Sequence, residues 1–164
     1  MGRLSRKHAV VTGGGRGIGR GIVLALAEAG ADTAIADVDM AGAEQTADAV
    51  ASLGREVIVC EVDVADTHSV QRGLDQILTR FGKIDILVNN AGIVQDHLGS
   101  EVTGDDFDRC YQVNLRGIWN VSSAVVSHFA NAAGGRSSTS PRSPGGGETT
   151  AWRPTRHRRP ERSA

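Results

Sequence analysis

Along the first 130 or so residues, short apolar runs alternate with segments whose apolar residues return at helical spacing. His8–Thr12 is an apolar run that ends at a glycine turn, which predicts a buried strand. Ile18, Ile22, Leu26 and Ala29 then share one helical face, and Gly30 closes that helix as a left-handed cap. Thr33–Ala36 predicts a second strand that stops at Asp37. The next helix runs from about Ala41 to Leu53, with Ala47, Val50 and Ala51 inward and Gly54 as its stop. Glu56–Val62, rich in β-branched residues, predicts a third strand. Asp66 or Thr67 caps a helix whose apolar face is Val70, Leu74, Ile77, Leu78 and Phe81, and Gly82 ends it. Ile84–Val88 predicts a fourth strand. After a loop, Phe107, Tyr111, Leu115, Ile118, Val125 and Phe129 mark one longer helix with a period near 3.6.

This alternation predicts the α/β class: a doubly wound, Rossmann-like parallel sheet covered on both faces and joined by right-handed crossovers. The order of elements also fits other doubly wound folds, so the motifs must choose among them.

The pattern stops near Gly135. Residues 136–164 contain no Leu, Ile, Val or Phe, yet hold all four prolines and seven arginines. Two units are therefore expected: a dinucleotide-binding domain over 1–135, incomplete at its C-terminal side, and an Arg/Pro/Ser/Gly-rich tail over 136–164 that cannot build a core and should be disordered. The net charge of −1 conceals this division, because the tail carries +5 and the body −6. Two cysteines, Cys60 and Cys110, are too few for a disulfide scaffold, and the N-terminus does not read as a signal peptide; a reduced, cytoplasmic setting fits. No apolar run is long enough to span a bilayer, and the five scattered histidines suggest no metal site.

The candidate chemistry begins at Thr12-Gly13-Gly14-Gly15-Arg16-Gly17-Ile18-Gly19, between the first strand and the first helix. Glycine lets the backbone approach a pyrophosphate and tolerates positive φ. The helix N-terminus offers free N–H groups and partial positive charge to the phosphates. Gly13, Gly17 and Gly19 stand at G-x-x-x-G-x-G spacing rather than the G-x-G-x-x-G of the standard dinucleotide fingerprint. About 20 residues on, Asp37 ends the second strand, where a carboxylate can accept hydrogen bonds from an adenosine ribose and repel a 2′-phosphate. That favours NAD over NADP, although Arg16 and Arg20 offer cations that could hold a 2′-phosphate.

With these residues the chain resembles the classical short-chain dehydrogenase/reductase family over about residues 6–130. Thr12-Gly13-x-x-x-Gly17-Ile18-Gly19 matches the family's cofactor turn. Asp63-Val64, after the third strand, matches the pair the family uses at the adenine ring. Asn89-Asn90-Ala91-Gly92, after the fourth, matches the motif that supports the sheet and lines the ribose on the nicotinamide side. Asn114, in Tyr111-Gln-Val-Asn114, matches the helix asparagine of the family's proton relay. The resemblance implies an NAD-dependent oxidoreductase that interconverts a secondary alcohol and a ketone on a small-molecule substrate, in a homo-oligomer. It implies no nucleic-acid or membrane partner.

Hydride transfer to or from a carbinol also needs a group that exchanges the hydroxyl proton. The family resembled uses a Tyr-x-x-x-Lys pair and an upstream serine, the lysine cation lowering the tyrosine pKa. Here the sole tyrosine is Tyr111, four residues before Leu115, and the sole lysines are Lys7 and Lys83. Tyr111 reads as a core-facing helix residue.

The tail offers a reason. Read one base out of register, the TC-type codons of Ser137, Ser138, Ser140 and Ser143 become apolar, so 136–142 can spell a buried strand ending in serine. The codons of Pro154–Arg159 can likewise spell Tyr-Ala-Ala-Ser-Lys. The tail is thus expected to be an out-of-frame translation, a reading that fails if no one-base change near codon 135 opens such a frame in the coding DNA. The alternative is a genuine basic segment, with Arg153–Arg162 binding polyanions without sequence preference. A second functional class stays open beside the enzyme: a non-catalytic NAD-binding or interaction module. The incomplete sheet predicts an aggregation-prone chain.

Overall fold

The computed structural model describes residues 2–94 and 102–133, with 127 and 129–133 as backbone only. The tail, the division near residue 135 and the Phe129 side chain lie outside the described residues.

Four strands, β1 (His8–Thr12), β2 (Asp32–Asp37), β3 (Val57–Glu61) and β4 (Ile86–Val88), form one parallel sheet in the order β3-β2-β1-β4. Between them run α1 (Gly17–Glu28), α2 (Met40–Ser52) and α3 (Thr67–Phe81). After β4 come α4 (Gly104–Tyr111), a π-helical segment (Gln112–Arg116) and α5 (Gly117–Ala133).

Side chains alternate across each strand, so neighbouring residues serve opposite layers. Val11 and Ile35 face α1 and α2, packing with Val23, Ala27, Ala43 and Val50. Val10, Ala34 and Ala36 face α3 and α5, packing with Leu74, Ile77, Val121 and Val125. Each strand feeds both cores, which explains why the runs read as continuously apolar rather than alternating. Asp66 caps α3, its side chain accepting from the His68 N–H, and Gly82 closes that helix in the left-handed region at φ 74°. Both match the sequence reading.

Two predicted faces are rotated. In α1 the buried stripe is Gly19, Val23 and Ala27, while Ile18 is 79% exposed. Small residues at these positions let the helix lie close against the sheet and the glycine turn. In α2 the buried residues are Ala43, Thr46 and Val50, and Ala51 faces outward. The predicted single long helix is interrupted by its π segment, which carries an extra residue per turn and shifts the phase of the residues beyond it. Phe107 and Tyr111 of α4, Leu115 inside the π segment and Ile118 beyond it are all exposed, and among the described residues of α5 the buried ones are Gly117, Asn120, Val121 and Val125. Tyr111 is therefore not core-facing, being 46% exposed. Among the described residues β4 pairs only with β1, so it forms one edge of the sheet.

Candidate functional site

β2 and β4 lie on opposite sides of β1; the chain leaves β1 for α1 on one face of the sheet and β4 for α5 on the other, which leaves a crevice at the carboxyl ends of the strands. A cleft of about 650 Å³ opens there. One wall is the glycine turn with the start of α1. Its floor is Asp37, Asp63 and Val64, and the facing walls are Asn90–Ile93 and the end of α4 with Gln112 and Val113.

The glycine turn is shaped by requirements that only glycine meets. Gly13 sits at φ 66°, and a Cβ there would lie 2.8 Å from the Ala91 Cα. A Cβ on Gly19 would run into the Gly13 carbonyl oxygen and the Asn90 amide. Gly17, at φ 53°, opens α1 with free space in front of it. No side chain caps this helix, so its first N–H groups face the cleft without an internal partner. The Arg16 side chain, exposed at the same corner, carries no hydrogen bond or ion pair among the described residues.

Asp37 is nearly buried, at 9% exposure, and braces the turn. Its Oδ2 accepts from the Gly15 N–H at 2.7 Å and its Oδ1 from the Asp39 N–H at 3.0 Å. A carboxylate has about four acceptor sites, so about two have no partner among the described residues. Asp63 is exposed on the floor; its Oδ1 accepts from the Ala65 N–H at 2.9 Å. Its other oxygen and the Val64 N–H have no partner among the described residues. An acceptor and a donor thus stand side by side.

Thr12 does not line the cleft. Its hydroxyl oxygen is spent behind it, accepting from the Asn90 and Ala91 N–H groups, both at 3.0 Å. The Asn90 amide donates to the Thr12 and Gly13 carbonyls at 3.0 Å each. These bonds strap the end of β4 to the glycine turn. Asn89 ties the same loop to α5, donating to the Ser122 hydroxyl at 2.9 Å. Asn114 also stands back from the cleft. Its Oδ1 accepts from the Ile93 N–H at 2.8 Å and its Nδ2 donates to the Ile93 carbonyl at 2.9 Å. Both ends of the amide are engaged with one residue's backbone, and Asn114 itself sits inside the π segment.

The structure thus brings Gly13, Arg16, Gly17, Ile18, Gly19, Asp37, Asp63, Val64, Asn90, Ala91 and Gly92 to one cleft, with Thr12 and Asn114 behind its walls. Sequence reasoning missed Thr46, Asn120 and Arg109. Thr46, fully buried, has its one hydroxyl proton within reach of the Gly42 carbonyl at 3.0 Å and the Gly15 carbonyl at 3.2 Å, and the Asn120 amide donates to the Val64 carbonyl at 2.9 Å. A polar residue on the buried stripe of α2 was the available signal for Thr46. Arg109 lines the cleft from α4.

The two lysines lie at the other end of the sheet. Lys7 and Lys83 both pair with Asp85, at 2.9 and 3.0 Å. Burial alone would raise the Asp85 carboxyl; hydrogen bonds from Lys7, the His8 N–H and Lys83 outweigh it and hold the group well below the usual carboxylate range. No tyrosine or lysine lines the cleft among the described residues.

The family model described as "short chain dehydrogenase" matches residues 7–137. A versicolorin reductase of Emericella nidulans is 39% identical over 135 residues, covering 82% of this chain and 50% of that protein. A crystal structure of a short-chain type dehydrogenase/reductase from Mycobacterium marinum superposes with a TM-score of 0.75 at 33% identity, covering 79% of this chain and 52% of that one. A short chain dehydrogenase from Burkholderia cenocepacia, solved in complex with NADP, gives a TM-score of 0.72 at 40% identity, covering 76% and 51%. The chain spans about half the length of the curated relatives it matches. With its sheet order, its glycine turn and this match over residues 7–137, the chain belongs to the short-chain dehydrogenase family.

Proposed function

We propose that the cleft binds a nicotinamide dinucleotide, NAD in preference to NADP, as the cofactor half of an oxidoreductase acting on a secondary alcohol or ketone. The observation that carries this reading is the gathering of four separate motifs around one crevice: the start of α1, Asp37, Asp63-Val64 and Asn90–Gly92. Each offers unspent bonding capacity suited to a different part of the ligand. The free N–H groups at Gly17–Gly19 suit a pyrophosphate. The open acceptor sites of Asp37 suit two ribose hydroxyls and disfavour a 2′-phosphate. The adjacent acceptor of Asp63 and donor of Val64 suit the amino edge of an adenine. Asn90, Ala91 and Gly92 border the nicotinamide end.

When bound, the nicotinamide ring would supply the hydride chemistry. The chain's own residues bind and orient it. Asn114 holds the Ile93 backbone, and through it the wall beside Gly92, so its part in this chain is to position rather than to exchange a proton. The phenol–ammonium pair that the family uses for proton exchange has no counterpart among the described residues of the cleft, because Tyr111 does not line it and both lysines are held by Asp85. This favours a second reading for the chain as given: dinucleotide binding without turnover.

Titration with NAD and NADP, followed by an assay for NADH formation from a panel of secondary alcohols, tests both. Saturable NAD binding without turnover is the expected result. Turnover would overturn the second reading, absence of binding the first, and tighter NADP binding would transfer the specificity from Asp37 to the unpaired Arg16.

A further inference from the structure

We infer that Arg109 is an adenine-binding residue, its guanidinium closing over the face of the purine whose edge meets Asp63 and Val64. This rests on the dinucleotide reading above. Arg109, Gln112 and Val113 stand at i, i+3 and i+4, so they share one face of the helix, and all three line the cleft. Arg109 is exposed, and its guanidinium has no hydrogen bond or ion pair among the described residues. It borders the same cleft as the Asp63 carboxylate without pairing to it, so space remains between the α4 wall and the floor.

The chemistry of the neighbourhood decides what fits that space. Phosphate groups have their own partners at the start of α1 and at Arg16, on the glycine wall. Arg109 shares its cleft with the Asp63 carboxylate, which repels phosphate, and with the apolar residues Val64 and Val113. A neutral flat ring suits these surroundings: its faces are apolar, and Asp63 can accept from its amino group. A guanidinium is planar, weakly hydrated and stacks on aromatic faces, whereas an ammonium is a compact, strongly hydrated point charge.

The test uses the full chain and measures binding of NAD and ADP-ribose, with nicotinamide mononucleotide as the probe lacking adenine. Arg109→Ala should weaken NAD and ADP-ribose by a common factor of about five, within the range of a single cation–π contact, and leave nicotinamide mononucleotide unaffected. Arg109→Lys should recover only a small part of the loss. Unchanged NAD affinity in Arg109→Ala overturns the inference, as does full recovery by lysine, which would make Arg109 a counter-charge for phosphate. If the unsubstituted chain binds neither NAD nor ADP-ribose, the dinucleotide reading itself fails. If it binds both and Arg109→Ala binds them equally well, only the role of Arg109 fails. Arg109 is exposed and its side chain holds no other element among the described residues, so the variant should keep the circular dichroism spectrum of the parent.

Discussion

Replacing Thr12 by valine removes one hydroxyl and changes almost nothing else. Valine has the same branched shape and the same preference for a strand, so packing around this residue, 2% exposed, is preserved. What is lost is the oxygen that accepts from two backbone N–H groups at 3.0 Å, those of Asn90 and Ala91. The third contact, donation to the Val88 carbonyl at 3.5 Å, is too long to count for much. An unsatisfied buried donor costs about 1–3 kcal/mol. Both donors here are half-buried, so the pair should cost about 2–4 kcal/mol together. That is a large share of a typical domain stability of about 5–15 kcal/mol. With a urea slope of about 2 kcal/mol per molar, the middle of the usual range, the midpoint should fall by about 1–2 M. Thr12→Ser is the control, because it keeps the oxygen and loses a methyl group, for about 1 kcal/mol. Urea unfolding followed by far-ultraviolet circular dichroism ranks the three proteins. Thr12→Val should be the least stable, and a valine variant at least as stable as the serine variant would refute the strap between β1 and the loop after β4.

Further outcomes rest on the same geometry. Gly19→Ala should destabilise by about 1–3 kcal/mol, the usual cost of overpacking, and abolish dinucleotide binding, since the added carbon meets the Gly13 carbonyl; calorimetric titration reads the binding and urea unfolding the stability. Asp85→Asn should cost about 1–2 kcal/mol at neutral pH, discounted for two half-exposed lysines. Because the folded Asp85 pKa lies below its unfolded value, this contribution is complete above about pH 4 and is lost as the pH falls through the folded value, so the gap between parent and variant should close on acidification. Burial pushes the Cys60 thiol up to about 11, so at pH 8 it should resist a thiol reagent until the chain is unfolded, while the half-buried Cys110 reacts first, as peptide mapping can show.

The sheet was legible because its strands are buried on both faces and leave unbroken apolar runs between glycine stops. The residues that meet at the cleft were legible because glycine and short polar motifs interrupt the apolar runs at the ends of those strands. The face of α1 was not legible. Periodicity favours the largest apolar side chains, Ile18 and Ile22, whereas the sheet takes Gly19, Val23 and Ala27, because close approach needs small residues. The break between α4 and α5 was hidden for a different reason. The π segment accompanies the two bonds between Asn114 and Ile93, a pairing across 21 residues that no local window contains. The shift separates the phase of α4 from that of α5, so the single stripe read from Phe107 to Val125 does not exist: Phe107, Tyr111, Leu115 and Ile118 are exposed, while Val121 and Val125 are buried. Thr46 and Asn120 reach the backbone carbonyls of Gly15 and Val64, 31 and 56 residues away, contacts that no local window contains.

The central claim is that the first glycine turn holds the phosphates of a dinucleotide, and amide-resolved NMR during titration with NAD probes it at the atoms concerned. The backbone signals of Gly17, Ile18 and Gly19 should move the most and saturate together with those of Val64 and Gly92. Saturable binding that leaves the turn amides still, while shifting residues elsewhere, would contradict the account.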